Sequence, residues 1–213
     1  MPIPADVLLS LLSHELRAPL GVVRGYLRLL EQAGGLDERQ AKAVAGGAAG
    51  GDRLAEVLDQ ASELGRLMRD ELRLDRDAVA VDALLGDAAA AAVLPSDPVV
   101  TLDVRPAPRL SVSVDRPRLA RALGTLVTAL ARAQAAAVAI RLAAEGTPAG
   151  TTRITVTLPT TREPAARPVD YGRAGQGLAL AFAGTLVAAH GGTLEQLDES
   201  GTLAGFRMEL PAT

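Results

Sequence analysis

Ser13-His14-Glu15-Leu16-Arg17-Ala18-Pro19-Leu20 sets a histidine beside a carboxylate, with a proline five residues on, inside a periodic apolar pattern. Leu9, Leu12, Leu16, Leu20, Val23, Leu27 and Leu30 recur at three- and four-residue intervals, the spacing of one face of a helix. This predicts a helix over 6–32, ended by Ala33-Gly34-Gly35. His14 falls off the apolar seam and shares a more exposed stripe with Arg17, Gly21, Arg24 and Arg28, so it is presented to a partner. A histidine on an amphipathic helix is ordinarily a solvated surface residue. A proline within the helix, which removes a backbone N–H and tends to kink the segment, sets this one apart.

The eight residues resemble the phosphoacceptor box of two-component histidine kinases, Ser-His-Glu-Leu-Arg-Thr-Pro-Leu, and match it at every position but Ala18. The resemblance implies His14 as phosphoacceptor, Glu15 as its acid–base partner, and a docking face of Arg17, Ala18, Gly21, Arg24 and Arg28. It implies a response-regulator receiver domain as partner, with an upstream histidine kinase as a second source of phosphoryl groups. The family position of Ala18 is often Thr or Asn, whose side chain positions a water that dephosphorylates the regulator. A methyl group cannot, so weak or absent phosphatase activity is expected.

Composition narrows the alternatives. At 213 residues the chain suits one large or two small domains. Apolar residues make up 48% and aromatics only 2%, with no Trp, so the core is built from Leu, Val and Ala. Net charge is −3 and no basic tract is long enough for nucleic acid. Zero cysteines exclude disulfides and Cys-ligated zinc and fit a reducing compartment. No run of about eighteen apolar residues and no signal-peptide pattern occurs, so a soluble, cytoplasmic protein with no membrane contact is expected.

A second helix is expected over 38–73, opened by Asp37 as N-cap with Gln40 three residues on, a capping box. Gly46-Gly47 and Gly50-Gly51 weaken its first half and mark a kink, a close crossing or a poorly ordered segment. A hairpin of two amphipathic helices cannot enclose a core alone, and a homodimeric four-helix bundle is the natural solution. Residues 1–76 are thus read as a dimerisation and phosphoacceptor domain.

Residues 77–213 change character. A helix is expected at Val81–Val93, strands at Val99–Val104 and Leu110–Val114, and a helix at Arg118–Ala135 capped by Asp115 with Pro117 just inside. Strands follow at Val138–Ala143 and Arg153–Leu158, then a loop at Pro159–Arg173, a helix at Leu178–Ala189, and a closing hairpin of Thr193–Leu197 with Gly205–Leu210. The fold class is α+β: the helical hairpin followed by an α/β sandwich, one sheet covered by helices on one face.

Gly175-Gln176-Gly177-Leu178, Ala189-His190-Gly191-Gly192 and Asp115-Arg116-Pro117-Arg118-Leu119 resemble segments of the histidine-kinase ATPase domain. In that family Gly-x-Gly-Leu sets backbone amides at a helix N-terminus against nucleotide phosphates. The family's nucleotide-binding helix carries Asn-Leu-x-x-Asn-Ala, whose second asparagine helps bind Mg²⁺. Here the run is Thr125-Leu126-Val127-Thr128-Ala129, with threonines at Thr125 and Thr128 in their place. The family's Asp-x-Gly-x-Gly, which reads adenine, is replaced by Thr157-Leu158-Pro159-Thr160-Thr161-Arg162, and the lid segment is short. Thr125, Thr128, Gly175 and Gly177 are therefore read as a vestigial nucleotide site. ATP and a resident metal are not expected, and Mg²⁺ comes with the partner's acidic pocket. No catalysis is assigned to His190.

These observations order three functions. The first is a dimeric phosphorelay protein in which His14 accepts and passes on a phosphoryl group. The second is an active, ATP-dependent histidine kinase with a divergent pocket. The third is a non-catalytic dimeric interaction module, for which His14→Ala leaves the cellular phenotype intact.

Overall fold

A computed structural model describes residues 4–107, 109–159, 162–169 and 177–213. It divides into two compact units, Met1–Leu72 and Arg73–Thr213.

The first unit is an antiparallel pair of helices, α1 (Ala5–Ala33) and α2 (Glu38–Met68). The capping box forms as the sequence predicts: Gln40 N–H donates to the Asp37 carboxylate at 2.8 Å, and Asp37 N–H to the Gln40 side chain at 2.9 Å. α1 runs unbroken through Pro19. α2 ends five residues before the expected 73, because the chain turns at Asp70 (φ 55°) and Glu71 N–H bonds back to Arg66 O. Gly47, Gly51 and Gly65 of α2 sit at close crossings with α1. A Cβ on Gly51 would lie 3.0 Å from the Arg24 side chain, and one on Gly65 2.9 Å from the Asp6 carbonyl oxygen. Gly46 opens outward and meets nothing. Arg69 closes the base of the hairpin, donating to Asp6 O at 3.0 Å and pairing with Glu71 at 2.8 Å. Burial on α1 is confined to Ser13 and Leu20, whereas Leu12, Leu16, Val23, Tyr26 and Leu30 stay exposed. The apolar stripe is wider than one partner helix covers.

The second unit carries β1 (Asp77–Ala80), α3 (Val81–Ala91), β2 (Val100–Val104), β3 (Ser111–Val114), α4 (Arg116–Arg132), β4 (Val138–Gly146) and β5 (Thr151–Thr157). It continues with β6 (Ala165–Arg167), α5 (Gly177–Ala189), β7 (Thr193–Glu199) and β8 (Thr202–Pro211). Six strands form one sheet in the order β2-β4-β5-β8-β7-β6, antiparallel except for β2 beside β4, while β1 and β3 pair separately. Alternation along the strands sends Ile140, Leu142, Ile154, Val156, Phe206 and Met208 inward, where Leu84, Leu123, Leu126, Leu130, Phe182 and Leu186 of the helices are also buried. Both phenylalanines of the chain are fully buried, the large pieces of an otherwise aliphatic core. The opposite strand positions hold cross-strand ion pairs: Arg153 with Glu145 (3.1 Å) and Glu209 (2.8 Å), Arg207 with Glu195 (3.5 Å), and Arg141 with Asp103 (3.2 Å).

Two strands escape the sequence reading. β1 lies where no element is expected, and β6 falls inside the expected Pro159–Arg173 loop. Both are short edge strands ordered by a distant partner, Asp77 by Val114 and Arg167 by Gln196. α4 begins at Arg116 and stops at Arg132, earlier at both ends than expected, with Asp115 as its N-cap accepting from Arg118 N–H at 3.3 Å.

Candidate functional site

His14 stands on α1 one position after Ser13, whose hydroxyl is buried and donates to Leu9 O at 2.7 Å. The 100° turn between neighbours carries His14 out of the hairpin seam, and Glu15 follows it; both are exposed. His14 makes no hydrogen bond or ion pair among the described residues, so its ring nitrogens face solvent. Ala18 and Gly21 continue this face, both exposed and without bulk. A Cβ on Gly21 would meet nothing within 4 Å.

The arginines of the stripe do not behave alike. Arg17 donates to Asp59 of α2 at 2.7 Å, and Arg24 pairs with Asp52 at 2.6 Å. Arg17 and Arg24 are one heptad apart on α1; Asp59 and Asp52 are one heptad apart on α2, in reverse order, as antiparallel packing requires. Arg28 is exposed and makes no ion pair among the described residues. A shallow recess of about 180 Å³ lies between the two pairs, floored by Leu20, Gly21, Ala55 and Leu58. The sequence reading singled out all three arginines but missed Asp59 and Asp52, whose only signal is a seven-residue repeat of opposite sign on the second helix.

The expected nucleotide positions lie in the second unit. Thr128 Oγ1 donates to Gly124 O at 2.8 Å and accepts from Val93 N–H at 2.9 Å, tying α4 to the end of α3. Close approach makes this bond possible: a Cβ on Gly124 would lie 2.9 Å from Ala91 Cβ. Thr125 is buried on the same helix. The family pattern spaces its asparagines four apart, and one helical turn beyond Thr125 is Ala129, not Thr128. The second asparagine's place is therefore held by a buried methyl group, and Thr128 belongs to the α3–α4 contact. Gly177 opens α5; Gly175 lies outside the described residues. The lid segment contributes Ala165–Arg167 to the sheet edge as β6.

His190 joins three elements. Its Nδ1 is 2.8 Å from Leu186 O, a pure acceptor, so Nδ1 carries the hydrogen; its Nε2 accepts from Asp115 N–H at 3.0 Å. Burial lowers its pKa, and the nearby Arg76 and Arg118 guanidiniums act in the same direction. Burial pushes the Asp115 carboxyl up, but hydrogen bonds from the Arg118 side chain and from the Asp75 and Arg118 backbone outweigh it and hold the acid below its usual range. Arg76 also donates to Ala189 O at the end of α5. These contacts tie the end of α5 to the N-cap of α4.

Residues 6–70 match the His Kinase A (phospho-acceptor) domain. The chain as a whole is 31% identical over 210 residues to the sensor protein DivL of Caulobacter vibrioides, covering 94% of this chain and 27% of DivL. Its fold superposes on full-length ShkA, solved in complex with AMPPNP, with TM-score 0.70 at 26% identity, over 99% of this chain and 46% of ShkA. It has the catalytic-core architecture of two-component histidine kinases. The Acinetobacter baumannii histidine kinase AdeS shares the fold, with TM-score 0.58 at 20% identity over 93% of this chain and 97% of that structure. The chain thus spans about a quarter of DivL and under half of ShkA. Among the described residues, no helix of this histidine-kinase core is long and apolar enough to cross a membrane.

Proposed function

We propose that this histidine-kinase core works as a phosphorelay protein: His14 takes a phosphoryl group from the aspartyl phosphate of a receiver domain and passes it on to another. In the forward step the P–O bond to the receiver aspartate breaks and its electron pair stays on the carboxylate. The lone pair of an unprotonated His14 ring nitrogen forms the P–N bond, and Glu15 accepts the hydrogen bond or the proton of the imidazole. Onward transfer reverses these bonds. The exposed, unbonded His14 ring carries this reading. It fits a group that must enter the active site of another protein. The receiver's acidic pocket supplies Mg²⁺ to offset phosphoryl charge.

The second unit supports loss of ATP chemistry. Mg²⁺ requires oxygen ligands in near-octahedral geometry. Ala129 offers none, and the Thr128 hydroxyl is already engaged as both donor and acceptor. The residues here do not fit the metal, and no step is routed through it. The exposed Leu12, Leu16, Val23 and Leu30 favour a homodimeric four-helix bundle, since a patch of this extent on one helix needs a cover. The cysteine-free chain is suited to the reducing cytoplasm.

The test is transfer from a panel of phosphorylated receiver domains to the wild type and to His14→Ala, alongside Mg²⁺-ATP calorimetry and labelling with γ-labelled ATP. Label from receivers on the wild type alone, with no ATP binding, is expected. One observation favours a second reading, an active kinase: the structurally similar ShkA was solved with AMPPNP. ATP binding with His14-dependent label would decide for it.

A further inference from the structure

Arg17 lies three residues beyond His14, hence on the neighbouring turn with Cβ atoms about 5–6 Å apart, and its guanidinium is held by Asp59 at 2.7 Å. Both side chains are more than half exposed, 53% and 59%. An ion pair so open to water is weak and exchanges readily. A phosphoryl group on His14 brings close to two negative charges and three acceptor oxygens to the same turn. We propose that Asp59 is a positioning residue that competes with the phosphoryl group for Arg17, so that the Arg17–Asp59 pair sets how strongly phospho-His14 is stabilised. The inference rests on the reading of His14 as phosphoacceptor.

With His14 unmodified, Asp59 keeps Arg17 turned toward α2. With His14 phosphorylated, Arg17 faces two anions and the dianion is the stronger. Every bit of Asp59 attraction that must be given up weakens the hold on the phosphoryl group and favours its departure. Removing the Asp59 charge frees Arg17 and makes phospho-His14 the better-stabilised state. Glu15 follows His14 on α1, Glu56, Glu63 and Arg66 lie within two turns of Asp59 on α2, and Asp6, Arg69 and Glu71 pair at the base of the hairpin. All stay in place in the variants below.

The hairpin holds its own control. Arg24–Asp52 is the same chemistry at 2.6 Å, but Arg24 lies ten residues from His14, about 15 Å along the helix. That exceeds the roughly 8 Å screening length at physiological salt. Asp52→Asn should therefore leave the phosphoryl group unaffected.

Phosphoramidate phosphorylates exposed histidines without an enzyme, and His190 is buried, so it loads His14 on the full chain. ³¹P NMR then reads the second ionisation of the phosphoryl group against pH. Asp59→Asn is expected to favour the dianion about two- to five-fold, seen as a lower titration midpoint. Arg17→Ala should raise the midpoint and abolish the response to Asp59→Asn, and Asp52→Asn should reproduce the wild type. An unchanged midpoint in Asp59→Asn, or an equal shift in Asp52→Asn, overturns the proposal. Circular dichroism of each variant confirms that the hairpin is folded. If no receiver exchanges phosphoryl groups with His14 while the midpoint shifts as expected, the phosphorelay reading has failed and the Arg17–Asp59 coupling stands. Receiver transfer with an unmoved midpoint is the converse.

Discussion

Replacing His190 should both destabilise the second unit and remove its sensitivity to mild acid. The neutral Nδ1–H tautomer is fixed from both sides, by Leu186 O at 2.8 Å and by Asp115 N–H at 3.0 Å. A proton on Nε2 would place N–H against N–H in a site only 3% exposed. The ring's pKa is therefore lowered from its ordinary 6.5, while the unfolded chain protonates normally. Below that value the unfolded state binds more protons than the folded state. Stability is thus fully present above about pH 6.5 and is lost as pH falls from there toward the lowered folded-state value, by up to about 1.4 kcal/mol per pH unit. His190 is the one histidine in this unit, and the neighbouring Asp115 carboxyl is held below its usual range. The window from pH 5.5 to 7.5 thus isolates it.

His190→Leu keeps apolar volume but leaves Asp115 N–H buried without an acceptor, a cost of about 1–3 kcal/mol at pH 7.5. Leu186 O still accepts from the residue-190 backbone, as it does now at 3.2 Å. With no Trp in the chain, protection of α4 and α5 amides against hydrogen exchange across a urea series, corrected for intrinsic rates, is the suitable assay. The wild type should lose stability between pH 7.5 and 5.5, by at most about 1.4 kcal/mol, and His190→Leu should be lower and flat. A variant that keeps the wild-type pH dependence would refute the reasoning.

Other perturbations separate packing from propensity. Gly46→Ala, which meets nothing, should gain up to about 1 kcal/mol of helix stability. Gly65→Ala should lose about 1–3 kcal/mol, because the new methyl presses on the Asp6 carbonyl; thermal unfolding by circular dichroism compares the two. Thr128→Val keeps the shape but removes the acceptor of the exposed Val93 N–H, and should cost about 0.5–1.5 kcal/mol in urea unfolding. Ala18→Thr should confer dephosphorylation of a phosphorylated receiver, followed as released phosphate; no gain counts against the positioned-water argument.

What the sequence discloses depends on whether the determining contact is local. The two long helices, the Asp37–Gln40 box and the Asp115 cap are settled within a few residues of each other, and all were legible. So was the exposure of His14, a matter of helical phase alone. β1 and β6 are three or four residues long and exist because a distant strand pairs with them, so no local period announces them. The apolar pattern of α1 located the helix, and its width, more than one partner helix covers, agrees with the expectation that one hairpin cannot enclose a core alone. The same limit separates two kinds of site residue. His14, Glu15 and Ala18 stand at a motif's spacing, so their identities alone carry the proposed roles. Asp59, Asp52 and Thr128 act through a partner on another element. Arg17 reads as a docking cation until α2 is laid antiparallel beside it, and only then does Asp59 stand opposite. Thr128 reads as part of a vestigial site, although the family's four-residue spacing from Thr125 falls on Ala129; that the α3–α4 crossing claims its hydroxyl is visible only in the fold. A missing side chain is visible in the sequence, but the use of the one that stands in its place is visible only in the fold.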